Sequence, residues 1–322
     1  MKKKYVRWTL WTIASPFILF VILCILIYLP PIQNFLVDKA AVYASEATGM
    51  NISVGRISLS FPLNLVVTDV DAASPHNDTL LSVRRLQVNV QLLPLLKKQV
   101  EVDGISLQGA TVNSNDLIHG MKLNGTLGEL FISSHGVALD PETAIVNKVL
   151  LKDTDLSLCL NDTAAADTAA SDTTYWKIIL QDIDLQNVSF ALDMPLDSLS
   201  LAASLDNAIL RDGLIDLHKS AYSLQTFRIK NGRVRYDSGK PLAADSLPSG
   251  LDPSHIALTD IGVKLDSLYY EGRNMKAIIS QFVLKERSGV EIVSATGRMV
   301  SNDKVLRVPS LKLETRDSYL EL

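Results

Sequence analysis

The residue types that carry most enzyme chemistry are present in this chain but scattered. Its five histidines, His76, His119, His135, His218 and His255, form no His-x-x-x-His pair and have no clustered carboxylates beside them. Each reads as a loop or surface residue. There is no Gly-rich phosphate loop, no Gly-x-Ser-x-Gly elbow and no Cys-x-x-Cys. Cys24 and Cys159 cannot form a disulfide framework, since Cys24 lies inside a long apolar run. Asp153 with Asp155, and Asp182 with Asp184, share a strand face by their spacing and could hold a cation. A solvated polar face explains them with fewer assumptions. Nothing here asks for a catalytic centre, a cofactor or a metal, so the expectation is a protein that is not an enzyme.

The elements that carry these residues are therefore the more informative feature. The chain has 322 residues, 47% hydrophobic, 20% charged and 6% aromatic, too apolar for disorder and too long for a disulfide-stapled mini-domain. From Trp8 to Val37 there is no charge, while Lys2, Lys3, Lys4 and Arg7 crowd the N-terminus. Setting those four aside leaves 27 basic against 35 acidic residues. A body so acidic has no electrostatic footprint for nucleic acid.

Leu10 to Leu29 is interrupted only by Thr12, Ser15 and Pro16 among non-hydrophobic types. A helix of that length covers about 30 Å, the thickness of a hydrocarbon core. A cleavable signal would be shorter and would end in a small-x-small site, and no Ala-x-Ala triplet follows this run. The run therefore reads as an uncleaved signal-anchor built from Leu10, Trp11, Phe17, Phe20, Ile25 and Tyr28, with Trp8, Trp11 and Tyr28 at the interfaces. The Lys/Arg cluster sets the topology: residues 1–31 comprise a cytoplasmic tip and the span, and the rest lies across the membrane. Residues 32–49 have helical spacing and a stop at Gly49. That short amphipathic helix lies either on the membrane surface or against the first strands.

From residue 50 to 322 the period is two. Leu86, Val88 and Val90 alternate with Arg85, Gln87 and Asn89, and Leu156, Leu158 and Leu160 alternate with Asp155, Ser157 and Cys159. About fifteen or sixteen short strands follow this style, with one apolar and one polar face, as antiparallel strands have. A loose template, apolar-x-apolar-x-(Gly/Asp/Asn)-x-x-apolar, fits from Ile105 through Gly109, from Val149 through Asp153, from Ile183 through Asn187 and from Phe227 through Asn231. A residue tolerant of left-handed backbone at its centre predicts a bend or bulge in each copy, within a repeated hairpin unit. Loops are expected near 161–174, an Ala/Asp/Thr-rich stretch, and near 237–253, which is rich in Pro and Gly.

So many one-sided strands need cover, and only one short helix follows the anchor. Either two sheets close into a sandwich, which would suit a membrane-tethered scaffold or protein-binding module, or one long sheet curls into a trough. A trough beside a membrane would offer acyl chains an apolar stripe.

The opening third favours the trough. A basic tip and single span lead into LVDKAAVYASEATGMNISVGRISLSFPLNLVVTDV (36–70), DTLLSVRRLQVNV (78–90) and LLPLLKKQVEVDGISLQGATV (92–112). This ordered set resembles the start of the AsmA/TamB superfamily of envelope proteins. The resemblance implies a bacterial inner-membrane anchor carrying an elongated, curled antiparallel β-groove (a β-taco of repeated hairpins) in the periplasm. In that family the groove is thought to guide phospholipid tails toward the outer membrane. TamB relatives are also linked to outer-membrane protein assembly with a β-barrel partner. The implied lining is Leu86, Val88, Val90, Ile105, Leu107, Leu156, Leu158, Ile183, Leu185, Phe227, Ile229 and Val234. TamB-like chains are much longer and finish in a distinct C-terminal domain. This chain therefore resembles their N-terminal part, or else its last strand edge meets an outer-membrane barrel or a further β-chain.

Overall fold

A computed structural model describes residues 39, 41–43, 45–46, 48–60, 64–74, 78–91, 102–114, 120–138, 142–161, 176–239, 250–302 and 304–322. The expected span at 10–29, with its Lys2, Lys3, Lys4 and Arg7 cluster, lies outside them. Among the described residues no helix is long and apolar enough to cross a membrane. Helical turns reach Thr48 and stop where expected: Gly49 adopts φ +70°, and its N–H bonds the Ser45 carbonyl at 2.9 Å. The Ser45 hydroxyl accepts the Ile52 N–H at 3.0 Å, tying the last turn to the first strand.

Fifteen strands then make one large curved sheet. They are β1 (Asn51–Ser60), β2 (Asn64–Ala73), β3 (Thr79–Val90), β4 (Val102–Asn113), β5 (Met121–Ala138), β6 (Thr143–Leu160), β7 (Lys177–Met194), β8 (Leu199–Asp216), β9 (Ala221–Leu224), β10 (Thr226–Ser238), β11 (His255–Glu271), β12 (Asn274–Glu286), β13 (Glu291–Ser301), β14 (Leu306–Thr315) and β15 (Tyr319–Glu321). Spatial order follows chain order, except that β9 sits beside β8 and β11 where β10 leaves off. β9 and β10 amount to one strand broken at Gln225. No second sheet covers this one among the described residues, so the sandwich does not form.

The expectation of an antiparallel sheet needs one correction. β6 and β7 run parallel, from Thr143 opposite Lys177 to Cys159 opposite Asp193. Parallel neighbours cannot share a tight hairpin and need a crossover of about a dozen residues or more. The Ala/Asp/Thr-rich stretch expected as a loop at 161–174 falls between these two strands and, past Asn161, lies outside the described residues. The second expected loop, near 237–253, falls between β10 and β11, with residues 240–249 outside the described residues.

The four template centres all have left-handed backbone: Gly109 (φ 62°), Asp153 (49°), Asn187 (51°) and Asn231 (52°). Asp69 (54°) and Asp260 (54°) do the same on β2 and β11. These positions line up. The β2–β3 register passes from Thr68 opposite Arg85 to Val70 opposite Val83, which leaves Asp69 beside Arg84. The same gap leaves Gly109 beside Gly128, Gly128 beside Asp153, and Asp153 beside Asn187. From β1 to β10 the strands on the main path thus carry an extra residue at the same level, and the gaps join into a crease. Side chains bond along it: Asn187 Nδ2 donates to Asp153 Oδ1 at 2.9 Å, and Asn231 Nδ2 to Asp206 Oδ2 at 2.6 Å. A second crease holds Asn147, which donates to Gln181 at 3.3 Å, together with Asp212 (φ 51°) and the break at Gln225.

The extra residue changes which side chains share a face. A Cβ on Gly232 would lie 3.1 Å from Ile229 Cγ2, and one on Gly213 would lie 2.8 Å from Leu210 Cδ2. Residues three apart across a crease therefore point to the same side, with two consecutive polar residues on the other.

Asn187 tests the crease directly. A β-branched residue at its φ of 51° costs roughly 1–2 kcal/mol, so Asn187→Val should lower unfolding stability by at least that amount. Asn187→Gly, which keeps the backbone but loses the bond to Asp153, should stay within about 1 kcal/mol of the wild type in a urea titration.

Candidate functional site: the uncovered apolar face

Tracing partners across the sheet gives an unbroken apolar row with one residue from each strand on the main path. It runs Ile57, Val67, Leu86, Leu107, Leu130, Leu151, Leu185, Ala208, Ile229, Val263, Phe282, Ala295, Leu313, Leu320. A second row lies beside it: Leu59, Leu65, Val88, Ile105, Ile132, Val149, Ile183, Leu210, Phe227, Leu265, Ile279, Gly297, Leu311. These two rows fill the strip between the creases. On the opposite face the matching row is polar throughout: Arg56, Thr68, Arg85, Gln108, Glu129, Lys152, Gln186, Asn207, Lys230.

Beyond the first crease the same apolar side continues with Leu81, Val112, Gly125, Leu156, Phe190, Ala203, Val234 and Leu258. The next row out is Leu123, Leu158, Leu192, Leu201, Tyr236 and Ile256. Eleven of the twelve expected lining residues thus fall in these four rows. Val90 sits opposite Val102 at the end of β3, just past a register irregularity.

Apart from Ala208 and Ala295, none of these side chains has the burial of a core. Among the described residues no large side chain is fully buried, and the buried apolar residues are mostly alanines, with Leu80 and Val83. Ile105 and Phe190 are each 38% exposed and Leu81 37%, all on the apolar side. Every substantial strand contact is between laterally paired strands. The side chains touch along the rows, and one face of the sheet stays open.

The expected lining left out Val149 and Leu151, although the template fits them in the forward direction. It also left out Leu130, Ile132 and Leu210, whose signal is present but reversed. Strands such as β5 and β8 cross the crease in the opposite chain direction, so their template reads backwards, as in Leu127-Gly128-Glu129-Leu130.

The expected cation pairs are spent on neighbours. Asp182 is ion-paired with Arg211, Asp184 accepts from Asn207 Nδ2 at 3.3 Å, and Asp153 holds Asn187. No group of three metal-ligating side chains exists among the described residues. His218 lies in the turn after β8, and His255 Nδ1 sits 2.9 Å from Asp252 Oδ2 at the start of β11. Cys159 is a free, half-buried thiol on β6. His135 lies on β5, and His76 and His119 fall outside the described residues.

Similarity to known proteins adds nothing to this geometry. No family model and no curated protein matches the chain.

The last apolar pair, Leu313 with Leu320, is clamped by charge. Lys312 Nζ lies 2.8 Å from Glu321 Oε1, and the Tyr319 hydroxyl donates to Glu321 Oε2 at 2.5 Å. The Lys312 ammonium and then this hydroxyl hold the Glu321 carboxyl below its usual range, while Glu321 holds the Lys312 ammonium above its own. A lowered carboxyl stabilises the folded form above its unfolded value and loses that contribution as pH falls through the folded one. Amide exchange at Leu311 and Leu322 should therefore accelerate, relative to the central strands, as pH drops below the usual glutamate range. Glu321→Gln should show the faster exchange already at neutral pH.

Proposed function

We propose that this is an inner-membrane-anchored periplasmic protein of envelope biogenesis. Its apolar β-face forms a groove that solvates phospholipid acyl chains on their way toward the outer membrane. The observation that carries the reading is the apolar row continuing without a polar break from Ile57 to Leu320 while all of its larger side chains stay incompletely buried. At about 4.8 Å per strand this row is roughly 60 Å long. One lipid tail covers half of a hydrocarbon core, about 15 Å. The face is thus about four tails long, which suits a path better than a pocket.

The work asked of each side chain is non-directional. Covering what remains exposed of a half-buried Leu is worth roughly 1 kcal/mol, enough to hold a tail collectively and weak enough at each step to let it move. Two polar residues facing outward at each crease lengthen that side and curve the strands toward the apolar one, which gives an open sheet the section of a trough. Head groups stay at the wet opening. The reading involves no catalytic step. The span at 10–29 would tether the groove to the inner membrane. An outer-membrane β-barrel or a further β-chain would pair along β14, whose outer edge β15 covers only from Lys312 to Glu314.

Adjacent residues on opposite faces make a sharp test. A photoreactive phenylalanine analogue at position 107 or 185 of the full chain in cells should form phospholipid adducts. The same analogue at 108 or 186, one residue along and on the polar face, should form almost none. Leu107→Asp with Leu185→Asp should cut the adduct formed at position 229 severalfold while the protein still folds, because both sites are half-exposed. Equal labelling of the two faces, or no lipid adduct at any of them, would sink the proposal.

A further inference from the structure

The polar face has an open cavity of about 680 Å³ over β8, β10, β11 and β12, and three cations line it: Arg228, Lys230 and Lys264. We propose that this cavity binds a phosphate-bearing ligand. Arg228 and Lys264 stand directly opposite each other in the ladder, and Lys230 is two residues along the same face. Like charges directly opposite destabilise a strand pair. Here nearby carboxylates offset the arrangement only in part. Neither Arg228 nor Lys230 has an ion-pair partner among the described residues, and the carboxylate facing Lys264, Asp266, is 3.9 Å away. Asp260 also lines the cavity, but its charge is taken up by Lys285 at 3.2 Å.

Some cations elsewhere on the sheet are paired, as Arg211 is with Asp182 and Arg235 with Asp237. In a chain with 35 acidic and 31 basic residues, a hollow lined by three cations and a single carboxylate, Asp260, is a local excess of positive charge. Three donors around one hollow fit a doubly charged phosphate monoester, whose three oxygens can each take a charge-assisted bond, better than they fit a single carboxylate. Gln281, opposite Lys264, adds an amide at the wall, and Ile209 and Val283 give the ligand's carbon skeleton something to rest on. The ligand is either a soluble phosphate ester or a lipid headgroup. The inference is independent of the acyl-chain reading, because the cavity is on the other face.

The full chain, held in phosphatidylcholine nanodiscs at constant ionic strength, can be titrated with glycerol 3-phosphate. In a second titration it meets phosphatidylcholine vesicles containing phosphatidic acid. We expect saturable binding to at least one, weakened about tenfold or more in Arg228→Gln/Lys230→Gln, the loss that follows removal of charge-assisted bonds. Lys152→Gln, on the same face but outside the cavity, should leave it unchanged. Saturation by the soluble ester alone assigns a free ligand, whereas saturation by the vesicles assigns a headgroup. The ligand-free double variant should melt no lower than the wild type, since it loses a repulsion, and Lys264→Gln gives a second, independent loss of affinity. Failure to bind either probe, or equal affinity in the variants, overturns the proposal.

Discussion

Everything in this sheet depends on the crease residues keeping step. A single left-handed residue in one strand would be a local bulge that throws its neighbours out of register. Here Asp69, Gly109, Asp153, Asn187 and Asn231 place the extra residue at one level in strand after strand, so the ladder closes again on either side, and Asp260 on β11 follows one step away beyond the Gly232–Ile261 pair. Without that alignment a one-residue offset would send every apolar side chain beyond the crease to the polar face. The partners are constrained in turn. A Cβ on Gly128 would come within 2.8 Å of Asp153 Cβ, and one on Gly55 within 2.9 Å of Asp69 Cβ, so the neighbouring strand carries Gly where the crease crowds it.

This constraint also explains what could be read from the sequence. The bend was legible at Gly109, Asp153, Asn187 and Asn231, because a residue tolerant of positive φ flanked by apolar pairs is a local signature. The face of Leu86, Leu107, Ile183 and Ile229 was legible from period two alone. Two things were not. The parallel pairing of β6 with β7 depends on where the chain goes after Leu160, and periodicity is identical for parallel and antiparallel neighbours on a half-exposed sheet. The cation cluster depends on Arg228 and Lys264, which are 36 positions apart and meet only through the β10–β11 register.

A sheet with one open apolar face lacks the usual source of stability, a core sealed from water. What remains is lateral: backbone bonds between neighbours, the contact of one row residue with the next, and polar chains such as Asn187 to Asp153 along the creases. Stability in such an arrangement is close to a sum of nearest-neighbour terms, as in solenoids. Its weak points are accordingly the two ends, where a strand has one neighbour instead of two. At the last strands, an ion pair from Lys312 and a hydrogen bond from Tyr319, both to Glu321, partly replace the missing neighbour.

The same economy separates the two faces chemically. Because a strand alternates, each residue pair contributes one side chain to the apolar rows and one to the polar rows, and the creases preserve that division instead of mixing it. Ile229 faces the open apolar strip, while Arg228 and Lys230 on either side of it face the polar cavity. A ligand on one face is therefore separated from a ligand on the other by a single backbone layer, and neither needs the other's side chains. Occupancy of the two faces can be coupled only through the curvature of the strands between them. Of all the positions in the molecule, Asn231 is the best placed to carry such coupling. It holds the left-handed crease geometry of β10, bonds Asp206 on β8 and lines the cavity wall, two residues from an apolar side chain of the central row.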